Sequence, residues 1–191
     1  MKKYIPNLLS VIRLLCIPFF VWQFTSGNRF AAAGIFCFAS ATDVLDGYLA
    51  RRNQWITNVG KILDPTADKL MQFTVLLCLT IDLWNNKIFL VPLTVLVLFV
   101  LKELCMLIGA IIILRTKYSV VGSVWYGKFA TVVIFVLTLT MMIYPDNAVL
   151  NIVLCLLLIA IILFALIMYY IKIFRGHYGI KHFENMRRTK E

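Results

Sequence analysis

Residues 43–68 of the chain read DVLDGYLARRNQWITNVGKILDPTAD and lie between two strongly apolar runs. This segment holds four of the nine acidic residues of the protein. A carboxylate at membrane depth costs about 3 kcal/mol on insertion scales, so such groups are kept mainly for function. If Asp43 with Asp46 and Asp64 with Asp68 lie on helices, each pair presents two carboxylates on one helix face. Two such faces turned toward each other predict bound divalent cations, because hard cations prefer oxygen ligands.

The composition of the chain indicates an all-α integral membrane protein. Hydrophobic residues make up 62% of its 191 residues, charged residues only 15%, and the mean hydropathy is +0.89. Soluble globular domains do not normally reach these values. The net charge of +10 does not indicate nucleic acid, because the basic residues stand at the ends of apolar runs, as topology signals do.

Apolar runs long enough to cross a membrane, about 20 residues each, predict six transmembrane helices. We place them at residues 5–24, 29–52, 60–81, 88–114, 122–144 and 148–174, with a polar turn at 82–87. The chain contains no internal repeat, so we expect one catalytic domain over residues 1–175. The basic tail, residues 176–191, is expected either to lie along the anionic leaflet or to form a solvated irregular end.

The basic residues of the loops predict the orientation. Only Arg29 and Lys87 fall on one side of the membrane, whereas the other lysines and arginines of the loops and both ends fall on the opposite side. The positive-inside rule therefore places both termini and the aspartate segment in the cytoplasm of a multi-pass cell-membrane protein.

Small residues and an arginine separate the two aspartate pairs. Gly47 inside a helix costs about 1 kcal/mol relative to alanine, which indicates that a ligand approaches the backbone there. Ala50 and Gly60 are also small, and Arg51 has a planar guanidinium suited to phosphate. Together these residues predict phosphoryl transfer from a metal-bound diphosphate.

The complete spacing, Asp43-x2-Asp46-Gly47-x2-Ala50-Arg51-x8-Gly60-x3-Asp64-x3-Asp68, resembles the signature of the CDP-alcohol phosphatidyltransferase family at every fixed position. The segments IPNLLSVIRLLCIP and LDPTADKL are also similar to the branches of that family that make phosphatidylglycerophosphate or cardiolipin. The resemblance implies a bundle of six transmembrane helices, and transfer of a phosphatidyl group from CDP-diacylglycerol to an alcohol with release of CMP.

The resemblance also implies roles for individual residues. The four aspartates would hold two Mg²⁺ ions, with Mn²⁺ as a substitute, and Asp68 would also act as general base. The residues implied in binding the CDP-lipid are Gly47, Arg51, Thr57, Gly60, Asn7 and Ser10. Members of the family often pair, so a homodimer is expected.

The acceptor alcohol is predicted less directly. An acceptor such as sn-glycerol 3-phosphate needs cations for its phosphate, and Lys102 is the first candidate because a lysine within an apolar helix requires a partner or a ligand. Its neighbour Glu103 points about 100 degrees away around the helix and is not an obvious partner. Arg115 and Lys128 are further candidates. Leu101-Lys102-Glu103 replaces the Ala-Arg-Glu of the phosphatidylglycerophosphate branch, so phosphatidylglycerol, as in cardiolipin synthesis, stays open as the acceptor, with inositol phosphate or serine as further options.

The charged residues also allow other interpretations. The aspartates have a structural alternative, pairing with nearby cations, and a functional one, lining the pathway of a small ion-coupled transporter. Arg51 has an alternative role as a positive-inside anchor. For Arg13 and Lys69 we expect side chains that extend to the membrane interface and not ligand contacts.

Overall fold

The computed structural model of the protein describes the backbone of residues 5–53, 60–85, 90–115 and 125–188. Side chains are described at residues 8–45, 47, 63–84, 90–109 and 129–171. Within these ranges all regular structure is helical, which confirms the predicted all-α fold. The six helices are α1 (Ile5–Thr25), α2 (Arg29–Asn53), α3 (Gly60–Asn85), α4 (Leu90–Arg115), α5 (Trp125–Ile143) and α6 (Ala148–Arg188).

Local sequence accounts for several helix ends. Pro6 lies in the first turn of α1, where its missing N–H costs no hydrogen bond. After α1, Gly27 adopts a φ of +82°, the left-handed conformation that favours glycine and ends helices. At the start of α6 the Asn147 Oδ1 atom accepts a hydrogen bond from the Leu150 N–H at 3.0 Å, which caps the helix.

Two predicted ends were wrong. Helix α3 does not stop before residue 82 but continues through Asn85. Asp82, in the last turns of α3, accepts two hydrogen bonds from the Arg29 guanidinium at 2.8 and 2.9 Å. This fork joins the beginning of α2 to the end of α3, so the polar segment at 82–85 is stabilised as helix. Helix α6 continues to Arg188, because no proline follows Pro145 to stop it.

In the part of the chain that the structure describes, three helices are both long and apolar enough to cross a membrane: Leu8–Thr25, Leu90–Gly109 and Ala148–Ile171. The described part of α5 adds a shorter apolar segment, Phe129–Ile143. Helices α2 and α3 have 25 and 26 residues, which is sufficient length, but they carry the charged residues of the aspartate segment. The described residues therefore form six helices, as predicted, and three of these helices meet the length and composition of a membrane span; the other three spans stay a prediction.

Helix α1 packs against both helices that carry the aspartates, α2 and α3. The buried Ala32, Ala33 and Ala39 leave little side chain on one face of α2, so neighbouring helices can approach closely. Aromatic rings fill the space toward α5, where the Phe36 and Phe135 rings lie 4.9 Å apart. This packing fixes the position of α1 relative to both aspartate pairs.

Candidate active site

Both aspartate pairs lie on helices, as the spacing predicts. Asp43 and Asp46 belong to α2, and Asp64 and Asp68 belong to α3. The Asp43 side chain is 42% exposed, and those of Asp64 and Asp68 are half-buried. The Asp46 side chain lies outside the described residues, although its backbone continues α2 one turn beyond Asp43.

Two buried polar residues of α1 connect these pairs. The Ser10 hydroxyl donates a hydrogen bond to Oδ1 of Asp64 on α3. One turn later, Nη1 of Arg13 lies 2.8 Å from Oδ1 of Asp43 on α2. Ser10 and Arg13 are 0% and 1% exposed. A single turn of α1 therefore contacts one carboxylate of each pair, Asp64 through Ser10 and Asp43 through Arg13.

The interface position expected for Arg13 was wrong. Its guanidinium is buried, paired with Asp43, and its Nε–H donates to the carbonyl of Ala39 at 3.3 Å. The sequence contained a signal for this role, because Arg13 interrupts an apolar run in the same way as Lys102. A buried guanidinium costs free energy unless it is paired. An arginine within an apolar run therefore indicates a carboxylate partner, which for Arg13 is Asp43.

A second group of charges lies where α3 meets α4. The Glu103 carboxylate pairs with two lysines. Its Oε1 lies 2.7 Å from Nζ of Lys102, and its Oε2 contacts Nζ of Lys69. The expectation that Glu103 is no partner for Lys102 was wrong, because the long lysine side chain turns around the helix to reach its neighbour. Lys69, whose side chain is 36% exposed, likewise pairs across α3 and α4, and its interface position stays a prediction. We refer to Lys69, Lys102 and Glu103 as the lysine cluster.

Asp68 connects the two groups of charges electrostatically. Its carboxylate is repelled by the charges of Asp43 and Glu103 and attracted by those of Arg13 and Lys69. The lysine cluster contains two positive charges and one negative charge, so it has a net charge of +1. A concentration of carboxylates thus adjoins a region of positive charge at the same end of the bundle.

The remaining predicted ligands are placed only in part. Gly47 lies in α2 and is half-buried, Arg51 lies in the last turn of α2, and Gly60 begins α3. Asn7 lies in the first turn of α1, Arg115 ends α4 and Lys128 lies near the start of α5. The side chains of Arg51, Asn7, Arg115 and Lys128, and the whole of Thr57, lie outside the described residues.

The donor atoms of the site fit a divalent cation by their chemistry. Carboxylate oxygens come from two adjacent helices, from Asp43 on α2 and from Asp64 and Asp68 on α3. On the buried side, Arg13 contacts Asp43 and Ser10 contacts Asp64. Among the described side chains, no three acidic, histidine or cysteine residues gather closely enough to hold an ion by themselves. Asp46 is not among those side chains, and the predicted ligand set includes it.

Comparison with known proteins decides between the interpretations of this charge pattern. Residues 3–174 match the family described as CDP-alcohol phosphatidyltransferase. The chain belongs to this family. The match confirms the family predicted from the aspartate spacing, and it favours the phosphatidyltransferase interpretation over the transporter.

Individual members of the CDP-alcohol phosphatidyltransferase family are also similar. A protein of Aquifex aeolicus is 35% identical over 127 residues, which is 66% of this chain and 68% of that protein. A protein of Pseudomonas fluorescens is 53% identical over 70 residues, 35% of this chain and 36% of that protein. A protein of Escherichia coli K12 is 49% identical over 74 residues, 37% of this chain and 41% of that protein. All three are named CDP-diacylglycerol--glycerol-3-phosphate 3-phosphatidyltransferase.

The matches differ in extent. The matches to the Pseudomonas and Escherichia proteins span less than half of those proteins, whereas the family match covers most of this chain. Family membership makes this chain a multi-pass membrane protein of a family that in general depends on divalent metal.

Proposed function

We propose that this protein transfers the phosphatidyl group of CDP-diacylglycerol to sn-glycerol 3-phosphate, giving phosphatidylglycerophosphate and CMP. The observation that carries the proposal is the contact of one turn of α1 with Asp43 on α2 and with Asp64 on α3, which supports a shared site for the carboxylates of both helices. The names of the similar proteins support the same donor and acceptor.

The carboxylates are the proposed metal ligands. Asp43, Asp46, Asp64 and Asp68 would hold two divalent ions, Mg²⁺ in preference and Mn²⁺ as a substitute. When bound, such ions act as Lewis acids toward the diphosphate and make CMP a better leaving group. Each carboxylate also contributes negative charge, so the site attracts cations before it attracts the anionic lipid.

The protein groups have separate tasks in the transfer. Asp68 accepts the proton of the acceptor hydroxyl, whose oxygen then attacks the lipid-side phosphorus and displaces CMP. Gly47 and Gly60 leave room for the nucleotide, and Arg51 binds its phosphates. Thr57 and Asn7 are assigned to the same CDP-lipid. Ser10 is also assigned to this ligand, and because its hydroxyl is buried and donates to Asp64, we propose that it acts through that carboxylate.

The lysine cluster is the proposed site of the acceptor phosphate. Lys102 and Lys69 share the single carboxylate of Glu103, which leaves one positive charge for an anion. Lys69 directly follows Asp68 in α3, so a phosphate held here brings the acceptor hydroxyl toward the proposed base. Arg115 and Lys128 are proposed as further contacts of the same phosphate.

The arrangement in the membrane is also a proposal. The distribution of basic residues places both termini and the active site on the cytoplasmic side. Residues 1–175 would form the catalytic domain and residues 176–191 a basic tail, which continues α6 as helix through Arg188. A homodimer is proposed from the family resemblance alone.

The proposal is tested by incubating the purified protein in lipid nanodiscs with CDP-diacylglycerol, Mg²⁺ and one acceptor at a time. We expect CMP and phosphatidylglycerophosphate with glycerol 3-phosphate, both identified by mass spectrometry. Cardiolipin formed from phosphatidylglycerol would assign the other branch, and products from inositol phosphate or serine would assign the less favoured acceptors. The absence of CMP with every acceptor would refute the transferase.

A further inference from the structure

Arg13 has the lowest exposure of any charged side chain among the described residues, at 1%. Its Nε–H donates to the Ala39 carbonyl at 3.3 Å, and its Nη1 lies 2.8 Å from Oδ1 of Asp43. Ala39 and Asp43 are one turn apart on α2, so the planar guanidinium is held at two points of the same helix face. This geometry requires arginine, because a lysine ammonium lacks the fork.

The guanidinium lies on the protein side of its partner. Asp43 is 42% exposed whereas Arg13 is 1% exposed, so a ligand can reach the carboxylate but not the arginine. Ser10, one turn earlier, has the same relation to α3: it is fully buried and donates to the half-buried Asp64. Burial therefore directs both side chains to their carboxylates, through which they would act on a ligand.

We infer that Arg13 and Ser10 are positioning residues, which hold Asp43 and Asp64 at the mutual spacing required to bind divalent cations. The inference rests on the proposed function, because it concerns the same carboxylates. Groups that hydrogen-bond metal-ligating carboxylates orient them, and their loss commonly weakens metal binding about 10–100-fold.

Because Arg13 is positively charged, the direction in which its substitution changes metal affinity distinguishes a positioning role from a purely electrostatic one. A fixed cation beside the carboxylates repels a divalent ion, so removal of the charge alone would strengthen metal binding. Removal of a positioning contact would weaken it. Arg13→Lys separates the two effects, because lysine keeps the charge and loses the two-point geometry.

The test is Mn²⁺ binding, measured by electron paramagnetic resonance on the purified full-length protein in nanodiscs without substrate. We expect Arg13→Lys and Arg13→Gln to weaken Mn²⁺ binding about 10–100-fold. In activity assays the Mg²⁺ concentration for half-maximal rate should rise by a similar factor, while the KM for CDP-diacylglycerol at saturating Mg²⁺ stays unchanged. Wild-type affinity in Arg13→Lys, or tighter binding in Arg13→Gln, would overturn the inference.

Arg29→Lys is the matched control. Arg29 also forms a forked ion pair, with Asp82, but it lies at the other ends of α2 and α3. We expect this substitution to leave Mn²⁺ affinity unchanged, and an equal loss in both variants would overturn the inference by showing a general structural effect. Should the Arg13 variants fail to fold, Ser10→Ala decides: weaker Mn²⁺ binding supports the inference and unchanged binding overturns it.

The measurements also separate this inference from the proposed function. A wild-type protein that binds Mn²⁺ but releases no CMP would refute the transferase and leave the positioning roles standing. A wild-type protein that releases CMP only with metal, together with Arg13 and Ser10 variants that bind metal normally, would refute the positioning roles alone.

Discussion

Substitution of Lys102 by methionine should weaken binding of the acceptor and leave binding of the CDP-lipid unchanged. Lys102 is 13% exposed and shares Glu103 with Lys69. Its removal does not leave Glu103 buried without a partner, because Lys69 still contacts that carboxylate. A methionine also retains contact with the Phe99 ring, which lies 5.0 Å from the Lys102 Nζ. The variant should therefore fold.

The magnitude follows from the lost phosphate contact. A hydrogen bond between charged groups contributes about 1.5–3 kcal/mol. Because Glu103 partly compensates the Lys102 charge, we use the lower part of this range, about 1.5–2 kcal/mol. At about 1.4 kcal/mol per factor of ten, the KM for glycerol 3-phosphate should rise about 10–30-fold.

The assay is the initial rate of CMP release in nanodiscs, with each substrate varied in turn. Lys102→Arg is the control, because it keeps a cation that binds phosphate, and its KM for glycerol 3-phosphate should stay within about threefold of wild type. An unchanged KM for glycerol 3-phosphate in folded Lys102→Met would refute the acceptor site. A rise confined to the KM for CDP-diacylglycerol would assign Lys102 to binding of the nucleotide instead of the acceptor.

Three further substitutions test other parts of the structure. Asp68→Asn should lower the rate of CMP release about 10²–10⁴-fold, as loss of a general base does, with an unchanged thermal unfolding curve; a rate near wild type would contradict the assignment. Arg29→Gln should lower the free energy of unfolding by about 1–3 kcal/mol, because it leaves the half-buried Asp82 without its fork, and should not change either KM; an unchanged melting temperature would show that the pair adds no stability. Gly109→Ala should lower the melting temperature, because a Cβ there would overlap the Tyr169 hydroxyl and lie 3.1 Å from two of its ring carbons. Adding Tyr169→Phe should restore part of the loss, and an unchanged melting temperature in Gly109→Ala would show that the Tyr169 ring moves aside without cost.

The fold was largely predictable from the sequence because apolar runs and proline positions set the six helices. The end of α3 was predicted wrongly because it depends on a contact distant in the chain. Asp82 is polar and follows an apolar run, so it suggested a turn, but Arg29 of another helix pairs with it. Spacing along one segment contains no information about such a partner.

The aspartates of the candidate site were predictable from the sequence, whereas the ion pairs of Arg13 and Glu103 were not. The spacing of Asp43 with Asp46 and Asp64 with Asp68 is local, and both pairs are helical as predicted. The contacts of Arg13 and Glu103 depend on how each helix is rotated about its axis, which packing determines. Both residues nevertheless interrupt apolar runs, and a charge in that position is reason to search for a partner.

Equilibrium binding of CDP-diacylglycerol to the substrate-free protein tests most directly whether carboxylates of both helices form one metal-dependent site. With Mg²⁺ present we predict saturable binding by the wild type, lost on adding EDTA and lost alike in Asp43→Asn on α2 and in Asp64→Asn on α3. Binding that persists in EDTA, or that needs the carboxylate of only one of these helices, would contradict the account.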